Sequence, residues 1–255
     1  MQANIQHCRK LLREKDYPRY LLSLSLPPKQ RERLWVLGAF NVEISRAAET
    51  TEIATGAIRL KWWMEALEQP RKHPVVEAIH AMEFDIAPLL AALEAREADI
   101  ETGYHFADMK VLDAYATATG CFWLPLAETD EQKKWLTQLG QVWVLQGLLW
   151  ATGYQLNESY STIPEEVFAA HGIDPLAAEE DITPQLCHII QTLARRVEET
   201  LKRIDVPKDA PLARAIPFLY GRASKMQQTP ELALAINPSE SRLKMVWKMM
   251  FAKQL

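Results

Sequence analysis

Polar side chains recur every four residues toward the end of an otherwise apolar helical stretch near the N-terminus. Asn41, Ser45 and Glu49 share one face with Leu34 and Leu37, so a face that begins as core turns polar while it still points inward. Packing alone does not require an amide, a hydroxyl and a carboxylate at these positions. A few polar groups among apolar walls are typical of a ligand pocket.

A second stretch, 139–164, combines small and aromatic residues on one face of a predicted helix. At 100° per residue, that face contains Gly140, Trp143, Val144, Gly147, Ala151, Tyr154 and Gln155. A glycine inside a helix costs about 1 kcal/mol relative to alanine, so Gly140 and Gly147 are expected to have a packing or ligand reason. The pattern predicts a helix that lines a cavity.

The polar residues of the first stretch have two interpretations. Ser45, Arg46 and Glu49 could satisfy one another, with Glu49 paired to Arg59 or Lys61 on the next helix. Alternatively, they form one wall of a ligand pocket whose other wall is the second stretch. The candidate pocket residues are Asn41, Ser45, Arg46, Glu49, Trp143, Gly147, Trp150 and Tyr154.

The composition is that of a globular protein of one domain, 1–255. Apolar residues make up 48% and charged residues 24% of 255 positions, enough to bury a sizeable core. The net charge of −4 argues against nucleic-acid binding, which needs a basic surface. Three distant cysteines without a C-x-x-C pair fit a reduced cytoplasmic setting, and neither a signal peptide nor a membrane span is expected.

Few glycines and the absence of alternating strand patterns predict an all-α fold. Pro28 is expected to begin a helix that runs to about Thr50, after an apolar connection from Tyr20 to Pro27. The last residues form another predicted helix, which either docks on the bundle or lies on a membrane surface. Its candidate membrane contacts are Arg242, Lys244, Trp247, Lys248 and Phe251.

The second stretch also carries a resemblance. LGQVWVLQGLLWATGYQLNESYSTIP aligns without a gap to the second aspartate-rich helix of the squalene and phytoene synthase family, and AFNVEISRAAE resembles the first. The family's metal-binding aspartates fall at Ser45 and Glu49 in the first motif and at Ala151 and Gln155 in the second. Trp150 stands where the family has an arginine.

The resemblance implies an isoprenoid-synthase-type helical bundle around a central cavity. In such enzymes carboxylates hold magnesium against a prenyl diphosphate, because magnesium prefers hard oxygen ligands shared with phosphates. Only one of the four positions here, Glu49, is acidic. We therefore expect no resident cofactor, no catalytic residue and no metal site. The six histidines also lack metal-ligand spacing.

One branch of the family lacks these aspartates and includes the assembly factor of respiratory complex I. AFNVE and IRLKWW resemble that branch. We expect a non-catalytic protein that binds complex I subunits, in the cytoplasm or at the surface of the inner membrane. Two alternatives remain open: magnesium-dependent head-to-head prenyl transfer, and binding of an isoprenoid lipid in the old cavity.

Overall fold

The computed structural model describes residues 1–47, 53–102, 106–173, 182–207, 210–236 and 245, and no strand occurs among them. This part of the chain confirms the all-α prediction. The α-helices are α1 (Gln2–Lys15), α2 (Tyr17–Ser23), α3 (Pro28–Ala47), α4 (Ile53–Glu68), α5 (Pro74–Ala81), α6 (Ala87–Thr102), α7 (Met109–Gly120), α8 (Asp130–Trp150), α9 (Thr152–Asn157), α10 (Glu165–Ala170), α11 (Thr183–Arg203), α12 (Ala215–Gln228) and α13 (Glu231–Leu234). Two 3₁₀ helices, Cys121–Leu126 and Pro211–Arg214, precede α8 and α12.

Helix α2 replaces part of the predicted connection between Tyr20 and Pro27, and that prediction was wrong. The helix begins because the carboxylate of Asp16 accepts a hydrogen bond from the backbone N–H of Arg19, at 3.1 Å. Pro18 lies in the first turn, where its missing N–H has no helical partner in any case. Helix α2 thereby brings the side chain of Arg19 into the interior of the bundle.

Helices α7 and α8 cross at a pair of glycines. A Cβ added to Gly140 would lie 2.3 Å from the carbonyl oxygen of Gly120, so the two backbones are in direct contact. This contact is the packing reason for Gly140. The start of α8 is capped by the hydroxyl of Thr129, which accepts from Gln132 N–H at 3.2 Å. Asp130, which follows the cap, is the first residue of the helix.

Helices α11 and α12 close the side of the bundle next to α8. The inward face of α11 is buried at Leu186, Ile189, Ile190 and Val197. Arg196 of α11 donates from Nη1 to Asp113 of α7 at 3.0 Å, which ties these two helices together. No helix within the described residues is long and apolar enough to cross a membrane.

Candidate functional site

The inward face of α8 begins in the core. The Trp143 indole is buried, and its ring centre lies 5.3 Å from that of Trp123 and 5.7 Å from that of Phe218 on α12. Aromatic rings at these separations gain contact energy beyond their buried area. Trp143, a predicted pocket residue, is therefore part of a packed aromatic cluster at this depth of the bundle.

A guanidinium group is enclosed within the same cluster. The Cζ atom of Arg19 lies 4.8 Å from the ring centre of Phe122, 5.3 Å from that of Trp143 and 5.8 Å from that of Trp123. Only 3% of Arg19 is exposed, and Asp16 is its ion-pair partner. Burial lowers the pKa of Arg19, while the Asp16 carboxylate opposes that shift. Nothing in the sequence pattern indicated an interior arginine, because the surrounding stretch reads as apolar.

The outer half of the α8 face is bordered by two more cations. The Cζ atom of Arg222 lies 4.7 Å from the ring centre of Trp150 and 4.9 Å from that of Phe218. The ammonium of Lys225 lies 5.6 Å from the same Trp150 ring. Rings and cations thus form a continuous series from Trp123 at the centre to Lys225 at the edge, and we name this series the cation–aromatic column. It consists of Trp123, Arg19, Trp143, Phe218, Arg222, Trp150 and Lys225.

Gly147 and Tyr154 lie on the open side of this face. Among the described residues, no heavy atom lies within 4 Å of a Cβ added to Gly147, so none of them fills the space beside it. Tyr154 is 41% exposed. These two predicted pocket residues therefore border accessible space, whereas Trp143 and Trp150 are buried.

The two residues at the metal-ligand positions of the second motif, Ala151 and Gln155, have structural roles in the fold. Helix α8 ends at Trp150, Ala151 forms a turn, and Gln155 of α9 is only 2% exposed. The amide of Gln155 donates to the carbonyl of Leu148 at 3.0 Å. Its Oε1 accepts from the hydroxyl of Thr162 at 2.8 Å and from the Thr162 N–H at 3.3 Å. Gln155 therefore holds the segment before Pro164 against the end of α8.

The first motif lies at the end of α3. The hydroxyl of Ser45 donates to the carbonyl of Asn41 in its own helix at 2.7 Å, and Asn41 Oδ1 accepts from Arg96 at 3.3 Å. Arg46 points to solvent and lies 3.9 Å from Glu43. The predicted cluster of Ser45 and Arg46 thus uses partners within α3. Glu49 lies outside the described residues, so its pairing with Arg59 or Lys61 stays a prediction.

Magnesium does not fit the three described positions of the family's motifs. Ala151 has no ligand atom in its side chain, Gln155 Oε1 already accepts two hydrogen bonds, and Ser45 donates its proton to Asn41. Magnesium requires several oxygen ligands in octahedral geometry, usually with carboxylates among them. Within the described ranges, moreover, no three histidine, cysteine, aspartate or glutamate side chains are grouped as a metal ligand set.

The candidate membrane contacts at the C-terminus, Arg242, Lys244, Trp247, Lys248 and Phe251, lie outside the described residues. Met245, the only residue of this segment that the structure describes, is helical and buried against the main core. Neither interpretation of the segment is tested by this one position.

The fold is that of the isoprenoid synthases. A dehydrosqualene synthase in complex with a ligand matches 97% of this chain with a TM-score of 0.77 and 15% identity, over 95% of its own length. Squalene synthase HpnC from Alicyclobacillus acidocaldarius matches 90% of this chain, over 95% of its own, with a TM-score of 0.67 and 14% identity. At these identities the likeness concerns the fold alone. The chain belongs to the squalene/phytoene synthase family, whose model matches residues 12–229.

The chain is similar in sequence to curated proteins described as NADH dehydrogenase (ubiquinone) complex I, assembly factor 6. The human protein is 29% identical over 123 residues, which is 44% of this chain and 37% of the human one. The rat protein is 25% identical over 183 residues, or 66% of this chain and 55% of the rat one. The chain thus aligns with about half or less of each of these relatives.

Proposed function

We propose that this chain is a non-catalytic member of the squalene/phytoene synthase family that acts by binding, in the assembly of respiratory complex I. The observation that carries the proposal is the engagement of Gln155, which stands at a metal-ligand position and is used to hold Thr162. The similarity of the chain to the assembly factor 6 proteins supports complex I assembly as the process in which it acts.

The chemistry of the site supports the non-catalytic part of the proposal. Ionisation of a prenyl diphosphate leaves negative charge on the departing group, which a bound metal must neutralise. Loss of a partner outside the ligand shell already lowers metal affinity by 10–100-fold, so three lost ligands lower it by roughly a thousandfold or more. The remaining carboxylate, Glu49, cannot replace them alone.

The proposed partners are complex I subunits, and the proposed place of action is the cytoplasm, at the surface of the inner membrane. No resident cofactor belongs to this proposal. An isoprenoid lipid is a further proposed ligand, because Gly147 and Tyr154 border open space on the face that corresponds to the family's cavity.

Deletion of the gene in the source organism tests the assembly role. We expect native gels stained for NADH dehydrogenase activity to lose the full-size complex, and wild-type expression to restore it. Glu49→Gln removes the last acidic side chain of the two motifs and should restore the complex equally well. An intact complex in the deletion strain, or failure of a folded Glu49→Gln variant, would contradict the proposal.

Direct assay tests the absence of catalysis. The purified protein is incubated with farnesyl or geranylgeranyl diphosphate and Mg²⁺, and released pyrophosphate is measured. We expect release at the rate of the protein-free control. Turnover that exceeds this rate and that Glu49→Gln abolishes would instead support the prenyltransferase alternative.

A further inference from the structure

A pocket with a volume of about 300 Å³ lies at the end of the bundle where helices α3 and α8 begin. Gln30 of α3 and Trp135 of α8 line it, 15 residues before Ser45 and Trp150 on the same two helices. Fifteen residues of α-helix extend about 22 Å, so the pocket lies far from both motifs. Trp143, in the middle of the cation–aromatic column, occupies the part of α8 in between. The pocket is therefore separate from the site that the motifs define.

The walls of this pocket are mostly apolar. Four leucines, a proline and an alanine surround it together with the indole of Trp135, which is buried. The proline and the alanine, Pro207 and Ala210, come from the connection between α11 and α12. The other described lining residues are Gln30 and Gln132. Apolar walls with a few fixed polar groups are typical of a site for a small organic molecule, and the volume is at the lower end of the usual range of about 300–1,000 Å³.

Glu128 fixes the orientation of both amides. Gln30 Nε2 donates to the Glu128 carboxylate at 3.2 Å, and Gln132 Oε1 accepts from the backbone N–H of Glu128 at 2.6 Å. An ionised carboxylate can only accept and a backbone N–H can only donate, so these contacts determine which end of each amide is oxygen and which is nitrogen. The oxygen of Gln30 and the N–H groups of Gln132 remain, as one acceptor and one donor group on two residues that line the pocket.

We propose that this pocket binds a small planar ring compound with a lactam edge, in which a carbonyl stands next to a ring N–H. The carbonyl would accept from Gln132 and the ring N–H would donate to Gln30, while the ring system packs against Trp135 and the leucines. Pyrimidinone and pteridinone rings have such an edge. A neutral ring of this size also suits walls whose polar groups are amides rather than charges.

This inference goes beyond the role in complex I assembly, and its test does not involve complex I, so either proposal can fail alone. Isoquinolin-1(2H)-one, a bicyclic lactam, is titrated into the full chain, and its dissociation constant is measured by saturation-transfer NMR. Its N-methyl derivative keeps the ring system and the carbonyl but has no N–H. We expect the N-methyl compound to bind at least about fivefold more weakly, because the hydrogen bond to Gln30 is lost.

Matched variants of α8 locate the binding. Gln132→Leu removes the donor and should weaken lactam binding about fivefold. Gln138→Leu makes the same change at an exposed position of the same helix, outside the pocket lining, and should bind as the wild type does. Leu136→Trp fills the pocket and should abolish binding. If that variant does not fold, as judged by circular dichroism, Leu136→Phe is used in its place.

Four outcomes would overturn the proposal. The first is the absence of lactam binding at millimolar concentration, and the second is equal affinity for the N-methyl compound. The third is equal affinity in Gln132→Leu and Gln138→Leu, which would show that the amide in the pocket plays no part. The last is unchanged binding in a folded variant with the larger side chain at position 136, which would place the ligand elsewhere on the protein.

Discussion

The guanidinium of Arg19 lies 5.3 Å from the ring centre of Trp143, within aromatic walls completed by Phe122 and Trp123. Aromatic faces attract positive charge, so rings at these distances stabilise a buried cation. Here the chain itself supplies the cation, from α2, with Asp16 as its counter-ion. The aromatic enclosure is thus occupied by a permanent part of the protein.

The first prediction concerns this buried ion pair. Asp16→Ala should lower the free energy of unfolding by about 3–5 kcal/mol, because it leaves the Arg19 charge buried without its counter-ion. The double variant Asp16→Ala/Arg19→Met should recover a large part of that loss, because methionine fills the site without charge. Urea denaturation of both variants measures the difference. A double variant less stable than Asp16→Ala would show that the aromatic contacts outweigh the unpaired charge.

The second prediction compares the contributions to stability of Gln155 in the second motif and Ser45 in the first. Gln155→Ala should lower the free energy of unfolding by about 1–3 kcal/mol, because the buried N–H and hydroxyl of Thr162 lose their acceptor. Ser45→Ala should change it by less than about 0.5 kcal/mol, since the Asn41 carbonyl keeps its place in the α3 helix without the hydroxyl. Thermal unfolding of the two variants tests the contrast. Similar losses in both would contradict the structural role assigned to Gln155.

The sequence predicted most of the helices because their apolar faces repeat at helical spacing. Pro28 does begin α3, as the sequence predicted. Helix α2 was missed, since its start depends on the Asp16 cap rather than on periodicity. The apolar run around Arg19 carries no helical stripe that could have revealed it.

The site was only partly predictable from residue types. The sequence predicted that packing or a ligand explains the two glycines on α8. It could not show that Gly140 serves packing whereas Gly147 borders open space. Arg222 and Lys225 escaped notice because they reach Trp150 from a helix that is more than 70 residues away in sequence. Contacts between distant segments leave no local pattern.

The third prediction uses these two glycines as a matched pair. Gly140→Ala should destabilise the protein by about 1–3 kcal/mol or more, because the new methyl group would overlap the backbone of Gly120. Gly147→Ala should stabilise it by up to about 1 kcal/mol through helix propensity, since no described residue obstructs the methyl group. Chemical denaturation of the two variants gives both signs. Stabilisation by Gly140→Ala would show that the α7–α8 crossing is looser than described.

The fourth prediction concerns pH. Burial against Trp62 and Trp63 lowers the pKa of His73 below its ordinary value of 6.5, with Glu43 opposing the shift. The neutral ring also accepts from Val75 N–H at 3.3 Å to cap α5, which protonation would prevent. The folded state therefore binds this proton less readily than the unfolded state. The stabilisation is complete above about pH 6.5 and is lost as the pH falls toward the lower folded pKa.

His73→Asn keeps a capping side chain and removes the titration. We expect the wild type to lose more stability than His73→Asn when urea midpoints are compared between pH 7.5 and pH 5. Parallel pH profiles for the two proteins would show that the ring is protonated as easily in the folded chain as in the unfolded one.

The hydrogen bonds between Gln155 and Thr162 make the loss of the metal ligand difficult to reverse. An aspartate at position 155 is one methylene shorter, so it would withdraw from Thr162 and place a charge where only 2% of the present residue meets solvent. An acid at position 155 would therefore remove both hydrogen bonds that fasten the segment before Pro164, so the side chain at this position is selected by the fold it supports.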